Sequence, residues 1–393
     1  VSKHHHPILE YFFNASNEIG IKKNTNLTTS IENQVGHYNI NTYNGTRHSS
    51  SKVFLKPVIK NPRLTILDNT QVKNLIIKDK KITGIKIQNK SIEQIIQLSH
   101  GAILCSGSIM TPYLLMHSGI GDKEHLKQFD KEIIIDNSNV GRNLQDHLGL
   151  DYLFKTHHHS LNKSLGTWPG RITSVLKYIY NRKGPLSLSI NQSGGYVNWN
   201  SKHHYPNLQI YFNPLTYSIT HKNKRPLLKT DKFNGFIIGY NSCRPKSLGR
   251  VALNSPNFED APLIDPNFLS HEEDIYDVKC AINFSQVLAN TNSIKKIRNE
   301  SVTHDLLNAT EEEMIDHFKS NAVSIYHPCG TCKMDEDPKK GVVSERLKVH
   351  GMENLWIADA SVFPNITSGN INAPVMMLAN LGSKFIIEDL NKI

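Results

Sequence analysis

Hydrophobic and polar positions change texture three times along the chain. Residues 1 to about 50 are polar, with one helical pattern near Ile8 to Ile19. From Val53 alternation takes over. Arg63-Leu64-Thr65-Ile66-Leu67, Val72 to Ile77 and Ile82 to Ile87 predict short strands, with turns at Asp68-Asn69 and Lys78 to Lys81. Gly101-Ala102-Ile103-Leu104-Cys105 is a continuous apolar run that ends in Ser106-Gly107, the pattern of a buried parallel strand. Ser108 to His117 follows with helical spacing, Pro112 being tolerated only near the first turn and Gly119 acting as a stop. A strand, a glycine turn and a helix in succession are an α/β signature. From about Leu148 to Asn321, strand-like pieces (Asn207 to Phe212, Phe233 to Tyr240, Arg250 to Leu253) alternate with helical ones (Ile172 to Tyr180, Glu272 to Asn290). That alternation predicts an α+β domain on an antiparallel sheet.

Composition narrows the classes. At 393 residues with 38% hydrophobic and 8% aromatic side chains, two intertwined domains with sizeable cores are expected. No run of 18 apolar residues occurs, so no transmembrane helix is predicted. The net charge of +10 comes from short, scattered basic runs such as Lys22-Lys23 and Lys295-Lys296, the pattern of a solvated face. No basic stripe interleaves with aromatics, so nucleic acid is not an expected partner. Five cysteines are too few for a disulfide scaffold. Asn-x-Ser/Thr triplets at Asn14, Asn26 and Asn308 argue weakly for secretion in so Asn-rich a chain. The chain opens at Val1 with neither an initiator Met nor a leader, so a targeting segment has been removed or the start lies upstream. The histidine triple His4 to His6 recurs at His157 to His159 and reads as native.

Three segments are dense in unusual local sequence. The first runs from Gly107-Ser108-Ile109-Met110-Thr111-Pro112 to Gly119-Ile120-Gly121, followed by Gly141-Arg142-Asn143-Leu144-Gln145-Asp146-His147. The second is Tyr326-His327-Pro328-Cys329-Gly330-Thr331-Cys332-Lys333-Met334. From the residues alone, His327 and the Cys-x-x-Cys suggest zinc or thiol redox chemistry. One Cys-x-x-Cys is half of a structural zinc site, and no second pair exists; a redox dithiol belongs at the opening of a helix in a βαβ unit. The third is Asp359-Ala360-Ser361-Val362-Phe363-Pro364, then Gly369-Asn370-Ile371-Asn372-Ala373-Pro374-Val375. Here Asn372 has the form of an N-cap with Pro374 in the first turn of a helix reaching about Leu390. Such a helix start offers free N–H groups and partial positive charge.

These segments resemble, nearly position by position, the signatures of the glucose–methanol–choline oxidoreductases, and the resemblance covers most of the chain. It implies a partial, doubly wound FAD-binding domain (α/β) with an antiparallel-sheet substrate domain (α+β). Its expected layout is 1–50 and 148–323 in the substrate domain, 51–147 in the FAD domain, and 324–393 returning to the FAD domain with the catalytic motif. The implied cofactor is FAD and the implied substrate a small-molecule alcohol or sugar, oxidised at a CH–OH group; no metal is implied. His327 would be the base that removes the alcohol proton, work suited to an imidazole of pKa roughly 6.5, while hydride passes to flavin N5. Asn372 would orient the alkoxide. Asp359 and Ala360 would lie near the ribityl and pyrophosphate, Asn372, Ala373, Pro374 and Val375 near the isoalloxazine, and the backbone of Val72 near adenine. Asp146-His147, which alone might be read as catalytic, would be structural. The wording of the motifs is most similar to the insect, glucose dehydrogenase-like branch, so a secreted protein is expected.

The chain also departs from the family. It has no G-x-G-x-x-G after an opening strand and no acidic residue about twenty positions later. An N-terminally truncated piece of a flavoenzyme is therefore expected, binding FAD poorly by itself. The alternative expectation is a truncated, non-catalytic protein that does not hold FAD stably.

Overall fold

The structure is a computed structural model that describes residues 5–28, 32–222 and 225–391. The chain divides into two compact units, one of residues 1–59, 148–243 and 275–323, the other of 60–147, 244–274 and 324–393.

The first unit is built on a seven-stranded sheet. Its order is Lys22–Lys23, Gln34–His37, Ser193–Val197, Leu208–Asn213, Gly235–Ser242, Leu148–Lys155 and Val323–Ser324. The four central pairings, from Gln34–His37 across to Leu148–Lys155, are antiparallel, as expected for the middle of the chain. Phe154, Phe212 and Phe236 stack on one face of it, with centroids 5.2–5.4 Å apart, and Phe12 of the Leu9–Glu18 helix covers Phe212 at 5.0 Å. Of the histidine triple, His4 lies outside the described residues; His5 stacks on His37 at 3.5 Å.

The second unit carries the three dense segments. Thr70–Lys78, Lys81–Asn89 and Ile92–Gln97 form a three-stranded antiparallel sheet. Ala102–Leu104 pairs in parallel with Leu355–Ile357, and the helix Gly107–His117 follows the first of these strands. This is the predicted α/β element, although Ile103 is 49% exposed and the strand is not wholly buried. Tyr113, Leu115, Leu355, Ile357, Cys329, Cys332 and Val362 share one core.

Three expectations need correction. Arg63–Leu67 forms no strand; its residues are exposed, and the Arg63 and Leu64 N–H groups bond back to Asn61 in a turn. The third strand, Ile92–Gln97, went unpredicted because Ile92-Glu93-Gln94-Ile95-Ile96 lacks a clean period of two. Residues 244–274, expected in the middle domain, belong to the second unit. Gly249–Ala252 pairs antiparallel with Arg142–Leu144, and Val251 donates to the Gly141 carbonyl at 2.7 Å.

Pro112 lies well inside its helix, not near the first turn alone. Proline removes the bond to the carbonyl four residues back, here that of Ser108. The Thr331 hydroxyl donates to that carbonyl at 2.6 Å, so the break is satisfied from a segment 223 residues away.

Gly141 adopts φ +82°, and a Cβ there would meet the Val251 carbonyl oxygen at 2.1 Å. Gly141→Ala is expected to lower the urea midpoint by an amount equivalent to roughly 1–3 kcal/mol. An unchanged midpoint would show that the 244–274 segment is not held there in solution.

Candidate active site

His327 opens the tail motif and is 9% exposed. The residue before it, Tyr326, has φ +63°, a left-handed conformation that a bulky side chain adopts only when its surroundings enforce it. The enforcement is visible. Asp146 accepts the His327 backbone N–H at 2.9 Å through Oδ1, and its other oxygen accepts the Ser324 hydroxyl in a short contact. Gln145 and Cys329 exchange backbone hydrogen bonds at 2.9 and 3.0 Å, laying the 141–147 loop beside 327–332. Asn143, itself at φ +61°, donates from Nδ2 to the carbonyls of Gly330 and Pro364, each at 3.2 Å. Two tight turns are thus stitched together and to the 359–364 segment.

Both ring nitrogens of His327 are engaged. Nδ1 lies 3.0 Å from Nδ1 of His147, which is fully buried, and Nε2 lies 3.2 Å from Nδ2 of Asn370. Between two imidazole nitrogens at that separation one carries the proton and the other a lone pair. The set is satisfied when His327 holds its proton on Nδ1 and donates to His147, leaving Nε2 as an acceptor for the Asn370 amide. Burial lowers the His327 pKa from 6.5, so the ring is neutral at pH 7. Burial also raises the Asp146 carboxyl above the usual range, and bonds from Ser324 and His327 oppose that rise. The result is a neutral imidazole with one basic lone pair at the edge of a buried cluster.

The site residues expected from the sequence fall out unequally. Asn372 is not an N-cap. Helix Asn372–Leu390 starts after Ile371, which already has right-handed helical angles and makes no side-chain cap. Asn372 is the first helical residue, exposed, and no hydrogen bond among the described residues joins it to His327. The amide that reaches the imidazole belongs to Asn370, two residues earlier. In Gly369-Asn370-Ile371-Asn372 the two asparagines are locally equivalent, and only the helix start tells them apart. His147, expected to be structural, has its ring against the candidate base. Only the adjacency of Asp146 and His147 hinted at this.

Asp359 is buried and committed inside the protein. It accepts the Gly107 N–H at 2.9 Å, the Thr111 hydroxyl at 2.7 Å and the Ser361 N–H at 2.8 Å. It clamps the glycine turn and leaves the backbone of Ala360 as the part of this pair that a ligand would meet. Ala373 is exposed, while Pro374 and Val375 are half-buried in the first helical turn. Val375 makes the first helical bond back to Ile371, so the N–H groups of Asn372 and Ala373 have no partner in the helix. Val72 stands apart on the three-stranded sheet, at a bulge between Val72 and Asn74.

The Cys-x-x-Cys thiols are held in their protonated form. Both cysteines are fully buried, and burial pushes Cys329 up to about 12 and raises Cys332 well above the usual thiol range.

Residues 1–149 match the N-terminal part, and residues 245–379 the C-terminal part, of the family described as GMC oxidoreductase. The chain is 32% identical over 388 residues to an alcohol dehydrogenase [acceptor] of Pseudomonas putida, covering 98% of this chain and 69% of that protein. It is 29% identical over 340 residues to an oxygen-dependent choline dehydrogenase of Cronobacter sakazakii, covering 86% of this chain and 59% of that one. Among solved structures, a formate oxidase of Aspergillus oryzae superposes with a TM-score of 0.88 at 25% identity, over 99% of this chain and 72% of that chain.

A folded-state pKa below 6.5 means that the unfolded chain takes up protons first on acidification. His327 therefore costs stability as pH falls through about 6.5. In NMR titrations, with His327→Asn used for assignment, the His327 ring resonance is expected to shift at a pH below 6.5. A midpoint at or above 6.5 would contradict the buried, neutral ring.

Proposed function

The chain belongs to the glucose–methanol–choline (GMC) oxidoreductase family, and from that premise we propose that it serves FAD-dependent oxidation of alcohols, with His327 as the base. The observation that carries this reading is the neutral, buried imidazole whose Nε2 lone pair is held ready beside Asn370. Removing the hydroxyl proton raises the electron density on the carbinol carbon and so drives hydride departure. A base that is neutral at pH 7 is the group for that step.

The residues fit a flavin at this end of the second unit. The Asn372–Leu390 helix opens without a side-chain cap and offers the free N–H groups of Asn372 and Ala373. Such a helix start favours an electron-rich ring edge. Asn372, Ala373, Pro374 and Val375 would hold the isoalloxazine side, the Ala360 backbone the ribityl side, and the bulged backbone at Val72 the adenine. When bound, FAD supplies at N5 the acceptor for the hydride that leaves the carbinol carbon.

The chain's own groups divide the work. His327 Nε2 accepts the hydroxyl proton. The Asn370 amide, which lies beside Nε2, turns to the substrate oxygen and steadies its developing negative charge. His147 receives the Nδ1–H bond, holds the tautomer that leaves Nε2 free, and stabilises the imidazolium once it forms. Asp146, gripping the His327 backbone, fixes where the ring stands.

Rapid-mixing measurement of flavin reduction by primary alcohols and aldoses, on FAD-loaded protein, tests the assignment. His327→Ala is expected to slow reduction by about 10²–10⁴, and Asn370→Ala by about 10². Asn372→Ala should cost less than about tenfold, because its side chain meets neither the base nor a cap. Reduction by His327→Ala at the unaltered rate would sink the proposal. Separately, His147→Leu is expected to lose at least about tenfold, and His147→Asn, which keeps an acceptor near the ring position, to recover part of it.

A further inference from the structure

In the first unit one helix is built inside out. Trp168–Asn181 is capped by Thr167, whose hydroxyl oxygen accepts the Gly170 N–H, and ends at Arg182 in a left-handed conformation. A surface helix ordinarily buries its apolar stripe and exposes its polar one. Here the seat is made by Gly170, Ser174 and Tyr178 at a spacing of four. A Cβ on Gly170 would meet the carbonyl oxygens of Lys163 and Ser164 at 2.5 and 2.7 Å, so the helix sits close on the Leu161–Gly166 turn through small side chains. The apolar residues face away. Trp168, Ile172, Val175, Leu176 and Ile179 follow i, i+4, i+7, i+8, i+11 and are 44–74% exposed, with Tyr180 at 90% beside their far end. Isolated exposed hydrophobics are ordinary, but a continuous helical stripe marks a contact surface.

The charges around the stripe point to what covers it. Lys163, Arg171, Lys177, Arg182 and Lys183 lie in or next to the helix along the chain, and residues 152–230 contain no Asp or Glu at all. We propose that the Trp168–Asn181 helix docks on an anionic lipid surface, lying flat with its apolar stripe in the headgroup–acyl boundary and its basic residues against the headgroups. An apolar stripe with aromatic ends, in a segment where basic residues far outnumber acidic ones, has the attributes of an interfacial helix. A second copy of the chain fits the surface worse, because two such helices face to face would bring the same basic groups together without a counter-charge. No helix among the described residues is long and apolar enough to cross a membrane, so the association is peripheral.

Co-sedimentation of the full chain with vesicles of phosphatidylcholine alone, and of phosphatidylcholine with one-third phosphatidylglycerol, tests this. At least tenfold tighter binding to the anionic vesicles is expected, weakened by 0.5 M NaCl. Trp168 emission should shift to the blue on binding, and the shift should vanish in Trp168→Phe. A double variant, Ile172→Ser with Ile179→Ser, should lose binding while its thermal unfolding, followed by circular dichroism, stays unchanged, since both side chains are exposed. Absence of binding to either vesicle by the folded chain would overturn the proposal. So would a dimer in light scattering that the double variant dissolves, because a second copy would then own the surface.

Discussion

A buried, neutral imidazole whose Nε2 is left as an acceptor is the constraint around which the second unit is arranged. Burial removes the charge from His327, but burial alone does not choose which nitrogen holds the proton. That choice needs a partner on Nδ1, and His147 is placed there from 180 residues away. The partner must in turn be fixed, and Asp146, its chain neighbour, anchors on the His327 backbone and the Ser324 hydroxyl. Two adjacent residues therefore hold one histidine by its backbone and its ring, which leaves the ring little freedom. The left-handed Tyr326 is the strain that this grip sustains.

The same economy of polar groups ties the site to its scaffold. Pro112 removes one hydrogen bond inside its helix, and the freed Ser108 carbonyl becomes the seat for Thr331, four residues after His327. Asp359 satisfies the opening of that helix through Gly107 and Thr111 while it starts the 359–364 turn. Gly330, Cys332 and Met334 donate to the carbonyls of Ala360, Ser361 and Val362 at 2.7–3.1 Å. None of these groups needs to touch a substrate to matter. Several buried polar groups find their partners on another motif, so that shifting one motif would leave donors and acceptors of another unpaired, at about 1–3 kcal/mol each. The buried cysteines fill the core beneath and keep their protons.

Local rules are broken at a few places, and those places are where a ligand or partner is argued for. The Asn372–Leu390 helix begins without a cap, the residue before the base is left-handed, and the Trp168–Asn181 helix turns its apolar stripe outward. A chain selected only for folding would have repaired all three cheaply.

Much of this was legible in the chain. The period-two segments at 72–77 and 82–87, the strand–turn–helix at 101–117 and the helix after Pro374 follow from local propensity and steric rules, which neighbouring residues settle among themselves. His327 stood out because its flanking motif is long and specific. Position in space was decided by tertiary pairing. Whether 244–274 joins one unit or the other depends on backbone partners more than 100 residues distant. Whether Asn370 or Asn372 serves the base depends on where the helix starts, since one residue of rotation along a helix turns a side chain by about 100°. That the His147 ring meets Nδ1 of His327 depends on a contact between two rings that no local pattern encodes. The sequence by itself determined which chemistry was present and which segments were regular. Only the folded chain, by bringing segments far apart in sequence into contact, decided which of several locally equivalent side chains stand together at the candidate site.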